Sequence, residues 1–116
     1  MNEICKIKDL YRVLYTFEKE FQQNYDITIN EAMLLCSLSD GEPRSANDLC
    51  EFMGLSSSRG SRVINTTESK RFILRQMGET DKRKMMFTLT AEGVEKLSKM
   101  HNESLNIMEK FKSILN

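Results

Sequence analysis

The apolar positions of this chain change their spacing along its length, and the changes mark out its elements. Between residues 3 and 23, Ile4, Ile7, Leu10, Leu14, Phe17 and Phe21 recur at three- and four-residue steps, the period of one helix face, and Tyr11 and Tyr15 widen the stripe. Asn24-Tyr25-Asp26 predicts a break. A second helix is expected from Thr28, with Ala32, Leu34, Leu35 and Leu38 on its apolar side. Thr28 and Glu31 have the form of a capping box, in which each side chain accepts a backbone N–H at the open helix end. Asp40-Gly41-Glu42-Pro43 ends that helix, because Gly41 can take a left-handed cap conformation and Pro43 cannot continue a helix. A short third helix runs from Ser45, its N-cap with Asp48 as partner, to Met53. Gly54 turns the chain, and a fourth helix begins at Ser56 or Ser57 and reaches about Lys70, with Val63 and Ile64 apolar. The period then shortens. Phe72–Met77 and Lys84–Leu89 suit strands, and the polar Gly78–Arg83 segment between them makes a β-hairpin. Thr90 is expected to cap a last helix whose stripe is Val94, Leu97, His101, Leu105, Met108, Phe111 and Leu115.

The 116 residues are the size of one domain, and 40% hydrophobic with 29% charged residues suits a packed core under a solvated surface. No apolar run approaches the roughly 18–20 residues that span a bilayer. The start, Met1-Asn2-Glu3-Ile4-Cys5-Lys6, has no signal-peptide pattern, so a cytoplasmic protein is expected, with no membrane partner. Both terminal helices carry long apolar stripes with little protein to bury them. Packing on their own domain would account for the stripes, but the near-heptad spacing better suits partner helices, hence a homodimer. Net charge is zero, with 17 basic and 17 acidic residues, yet its distribution is uneven. Residues 1–58 hold 5 basic and 10 acidic groups; residues 59–84 hold 8 basic and 3 acidic, a local excess of +5. A basic middle is the footprint of a polyanion-binding face or of an ordinary solvated surface.

The segment Ser45–Ile64 meets the requirements of a helix-turn-helix. Two helices must cross steeply through a short turn, and Gly54 can supply the positive φ that the turn needs. Four residues earlier a small side chain is wanted where the helices meet, and Cys50 is small. The second of these helices presents Ser57, Ser58, Arg59, Ser61 and Arg62 near its N-terminus. Small hydroxyl residues let a helix sit deep in a major groove, arginine can grip guanine O6 and N7, and the helix N-terminus favours phosphate. A helical hairpin inside a bundle is the plainer alternative. Gly60 weakens an exposed helix by about 1 kcal/mol relative to alanine, which suggests a close approach there, with a groove wall as a candidate. The hairpin tip carries Asp81-Lys82-Arg83-Lys84. Lys82, Arg83 and Lys84 suit a phosphate backbone or a narrow minor groove, and Asp81 can hold Arg83 or another arginine through a charge-assisted hydrogen bond. The expected fold is mainly α with a small β-hairpin wing (α+β): a winged helix-turn-helix with N- and C-terminal dimerisation helices. It forms one domain over 1–116, with dimerisation helices at 1–24 and 91–116 and a DNA-binding core at 28–90.

The chain resembles the MarR family of multiple antibiotic resistance regulators. The matching residues are Leu49-Cys50, Met53-Gly54-Leu55-Ser56, Ser61-Arg62-Val63-Ile64, Glu68, Phe72-Ile73-Leu74-Arg75, Asp81-Lys82-Arg83 and Leu89-Thr90-Ala91-Glu92-Gly93, over about residues 28–95. The resemblance implies a homodimeric, sequence-specific regulator binding double-stranded DNA. Its fourth helix would enter the major groove and Arg83 the minor groove. It also implies a repressor, with a candidate small-molecule effector or cysteine oxidation releasing the DNA. Two departures fall at the helix-to-wing junction: Arg71 stands where the family usually has glycine, and Thr67 replaces leucine. The family's usual final helix is missing or fused into the helix after Thr90.

Of the three cysteines, Cys50 and Cys36 are expected to be buried, and Cys5 is the candidate redox sensor, since a reactive thiol needs access. With one histidine and no CxxC spacing, no metal site is expected, and no cofactor. His101 is read as an interface or core residue, and the eight methionines as packing for the core and dimer seam. No catalytic constellation is present, so an enzyme is not expected. The alternative function is a winged-helix protein-interaction module without DNA binding.

Overall fold

The computed structural model describes residues 2–78, 80 and 83–116, with the backbone alone at 102–104. The elements follow the expected order: α1 (Asn2–Tyr25), α2 (Ile29–Ser37), β1 (Arg44–Ser45), α3 (Ala46–Met53), α4 (Ser57–Ser69), β2 (Ile73–Met77), β3 (Met85–Leu89) and α5 (Ala91–Leu115). The architecture is mostly helical with one small antiparallel sheet, as expected. One strand was not anticipated. Arg44 pairs with Phe87 and Ser45 with Met86, so the hairpin becomes a three-stranded sheet in the order β1-β3-β2. Two residues are too few to show strand alternation, so nothing local announced β1.

Local chemistry sets most of the boundaries. Asp26 adopts φ 53° and donates its N–H to Gln22 O, closing α1 at the expected break. Ser45 is extended and accepts the Asp48 N–H at 3.2 Å, the N-cap of α3. Thr90 Oγ1 accepts the Gly93 N–H at 3.0 Å at the start of α5. The carboxylate of Glu31, paired with Thr28 in the sequence pattern, reaches across to α4. Its oxygens accept from Thr66 Oγ1 at 2.9 Å and from Lys70 Nζ at 2.8 Å, while only 2% of the residue remains exposed.

Two compact units make up the chain: residues 30–98, and residues 1–29 with 99–116. The first has its core in Leu34, Leu35, Leu38, Leu49, Cys50, Met53, Ile64, Ile73 and Phe87. In the second, Phe21, Ile27 and Met100 are buried, and the Phe21 ring packs between those of Phe17 and Tyr25, tilted against each, at centroid distances of 5.3 and 5.1 Å. The apolar stripes of the terminal helices are wider than one face. On α5, Leu97, Met100, Ile107, Phe111 and Ile114 turn inward, whereas Val94, His101, Leu105, Met108 and Leu115 stay exposed on an adjacent strip. On α1, Ile4, Ile7, Tyr11, Leu14 and Tyr15 are likewise exposed. Within this unit Ile7, Leu10, Tyr11, Leu14, Phe111 and Leu115 line a groove of about 360 Å³.

Candidate nucleic-acid interface

The crossing of α3 and α4 is set by two glycines. Gly54 takes the left-handed conformation, φ 70°, which a side chain would strain. The following Leu55 N–H then donates to Cys50 O at 3.0 Å, which closes the turn. Gly60 is buried, not at the surface. A Cβ built on it would lie 2.1 Å from Cys50 Sγ. The close approach inferred from Gly60 is therefore made by the protein itself. A groove wall has no access to it. Cys50 is buried, as the tight crossing requires.

α4 starts at its N-cap Ser56, whose Oγ accepts the Arg59 N–H at 3.3 Å and whose carbonyl accepts the Gly60 N–H at 2.8 Å, which leaves the N–H groups of Ser57 and Ser58 at the open helix end. Ser57, Ser58, Arg59, Ser61 and Arg62 are all exposed. Gly60, Ile64 and Thr67 form the buried side of the helix. Thr67, where a leucine would be usual, is fully buried and satisfies its hydroxyl by donating to Val63 O at 2.6 Å. The polar outer face runs on past the residues singled out in the sequence, to Asn65 and Ser69, both exposed.

The wing is joined to α4 by a pair that sequence reading did not assign a role. Arg75 on β2 donates from Nε and from a terminal nitrogen to the two oxygens of Glu68, at 2.8 and 2.9 Å. The same guanidinium lies 5.3 Å from the Phe87 ring centre. The Arg75 hydrogen bond holds the Glu68 carboxyl below the usual carboxylate range, and Glu68 in turn raises Arg75. Spacing alone gave no signal, since seven residues and a change of element separate the two. At the junction itself Arg71 has φ 67°, the conformation for which glycine is the usual choice, and its carbonyl accepts from Thr90 Oγ1 at 2.7 Å. Arg83 and Lys84 are exposed, and Lys84 O accepts the Gly78 N–H at 2.8 Å. Asp81 and Lys82 lie outside the described residues.

Cys36 departs from expectation. It is exposed, because it sits on the side of α2 away from the buried Leu34 and Leu35, although partial burial still pushes its thiol pKa up. Cys5 is exposed on α1, and so is His101 on α5. Among the described residues no three His, Cys, Asp or Glu side chains are grouped to hold a metal ion. No described helix is long and apolar enough to cross a membrane.

Residues 25–84, which span the helix-turn-helix and the first wing strand, match the sequence profile of the MarR family. The chain belongs to the MarR family. Solved MarR-family structures share the fold. AbsC, a MarR family transcriptional regulator from Streptomyces coelicolor, is 25% identical with a TM-score of 0.80, over 93% of this chain and 74% of AbsC. S. aureus MepR in its DNA complex is 18% identical with a TM-score of 0.69, over 94% of this chain and 91% of MepR. Bordetella bronchiseptica BpsR, whose DNA binding is regulated by 6-hydroxynicotinic acid, is 22% identical with a TM-score of 0.75, over 88% of this chain and 75% of BpsR. No curated protein matches the chain by sequence. The winged-helix fold is thus that of MarR-family transcription regulators.

Proposed function

We propose that this MarR-family chain is a sequence-specific regulator that binds double-stranded DNA as a homodimer and represses transcription, with a small-molecule effector releasing it. The observation that carries the reading is the outer face of α4. Its first turns expose Ser57, Ser58, Arg59, Ser61 and Arg62 and no acidic side chain, at a helix N-terminus whose N–H groups and dipole favour phosphate. Arg83 and Lys84 add exposed positive charge on the wing, and Lys82, their neighbour in sequence, is proposed to act with them. Asp81 is proposed to hold Arg83 in place. Support for the homodimer comes from the exposed strips of α1 and α5, where Ile4, Ile7, Tyr11, Leu105, Met108 and Leu115 present apolar surface. Support for an effector comes from BpsR alone, and exposed Cys5 is a second candidate trigger, through oxidation.

The test is a gel-shift titration of genomic fragments at two salt concentrations, with protein whose mass in solution has been measured. Arg62→Ala and Arg83→Ala should bind more weakly without loss of fold. Each removed phosphate contact should lower the slope of log affinity against log salt by about one unit. Wild-type affinity in both variants, or a monomer in solution, would overturn the reading and favour a protein-interaction module.

A further inference from the structure

We infer that Asn65 is a base-reading residue that takes an adenine in the major groove, beside a guanine taken by Arg62. The inference rests on the DNA-binding reading above and assigns part of the sequence that would be read. α4 turns one side to the protein. Gly60, Ile64 and Thr67 are its buried positions. At about 100° per residue the opposite side of the helix runs through Ser58, Arg62, Asn65 and Ser69. Asn65 is exposed and lies one turn beyond Arg62 on that line.

Nearly every other polar side chain in the second half of α4 is committed to the protein. Thr66 Oγ1 has its single proton shared between the Glu31 carboxylate and Val63 O. Thr67 Oγ1 donates to Val63 O, Glu68 accepts from Arg75, Ser69 Oγ donates to Asn65 O, and Lys70 pairs with Glu31. Among the described residues no hydrogen bond engages the Asn65 carboxamide. It therefore has its donor and its acceptor both available on the outermost line of the helix.

The chemistry of that group selects a base. A carboxamide offers one donor and one acceptor side by side, the complement of adenine N7 and N6–H₂. Guanine shows two acceptors on the same edge and suits the two donors of an arginine. Asparagine is short, so it reads a base only if the helix backbone comes close. Its neighbours on that face, Ser58, Ser61 and Ser69, are small enough to allow this, and no aromatic or lysine side chain stands among them to hold the helix away. Arg62 and Asn65 are separated by about 4.5 Å along the helix axis, close to one base-pair rise of about 3.4 Å, which puts their targets on neighbouring or next-neighbouring base pairs.

The experiment is selection of binding sites from randomised duplexes by the intact wild-type protein, by Asn65→Ala and by Arg62→Ala, followed by titration of the wild-type site. The wild-type site should hold an adenine within two base pairs of the guanine whose preference Arg62→Ala loses. Asn65→Ala should lose the preference at the adenine alone, by roughly 5- to 150-fold. Its thermal midpoint and the salt slope should not change, because no charge is removed. Replacing that adenine by 7-deazaadenine, which lacks the N7 acceptor, should weaken wild-type binding and leave Asn65→Ala binding unchanged. Selection of the same site by wild type and Asn65→Ala, or equal weakening of both by 7-deazaadenine, would overturn the inference and leave the DNA-binding reading standing. No enriched sequence for the wild-type protein would overturn the DNA-binding reading and this inference with it.

Discussion

Replacing Gly60 by alanine sets helix propensity against packing, and the structure says which wins. In an exposed helix interior, alanine is more favourable than glycine by about 1 kcal/mol. Gly60, however, is buried against α3, where a new Cβ would lie 2.1 Å from Cys50 Sγ and 3.1 Å from Cys50 Cβ. Forcing a methyl group into a packed contact costs roughly 1–3 kcal/mol, so the net effect is a loss of about 1 kcal/mol and a fall of about 4 °C in Tm. Cys50→Ala removes the sulfur that makes the clash. In that background only the 3.1 Å contact remains, and Gly60→Ala should become neutral or stabilising. Urea unfolding of the four proteins at one protomer concentration gives the coupling between the two sites, expected at roughly 1–3 kcal/mol. Stabilisation of the wild-type protein by Gly60→Ala, by the full propensity gain of about 1 kcal/mol, would refute the tight α3–α4 contact.

Gly93→Ala should cost more than Gly60→Ala in the same assay, because its Cβ would meet backbone, Phe72 O at 2.2 Å, and that carbonyl already accepts the Thr90 N–H. At the helix-to-wing junction Arg71 holds φ 67°, so stability should rank Arg71→Gly above wild type and wild type above Arg71→Val, since a β-branched residue tolerates the left-handed region least; any other ranking contradicts the geometry. The Glu68–Arg75 pair lowers the folded-state pKa of Glu68, so its stabilisation is present above the unfolded carboxyl value of about 4.3 and disappears as the pH falls through the lower folded value. The pair is largely exposed, so the advantage of wild type over Glu68→Gln should be below about 1 kcal/mol at pH 7, and Glu68→Gln should lack that acid-side loss when unfolding is followed against pH.

Most of the element order was legible from residues that act on their immediate neighbours. Ser45, Ser56 and Thr90 cap the helices that follow them, Gly54 makes the turn, and the shortened apolar period announces β2 and β3. Strand β1 was not legible, because two residues become a strand only when Phe87 and Met86 arrive beside them. The stripe assigned to α5 mixed two neighbouring strips. Periodicity detects that a helix has apolar positions, but it does not say which of them the same chain covers. Cys36 was misplaced for the same reason, and Gly60 was matched to the wrong neighbour because the close approach comes from a residue on another helix.

The order of residues alone settled where helices begin, where the chain turns, and that Ser58, Arg59 and Arg62 share the open end of one helix, because caps, turns and helical period act over a few residues. Only the folded chain decided what those helices face. It turned Gly60 onto Cys50, carried Glu31 to α4, joined Glu68 to Arg75 and left Asn65 outward, because burial and partnership depend on residues brought together from distant parts of the sequence.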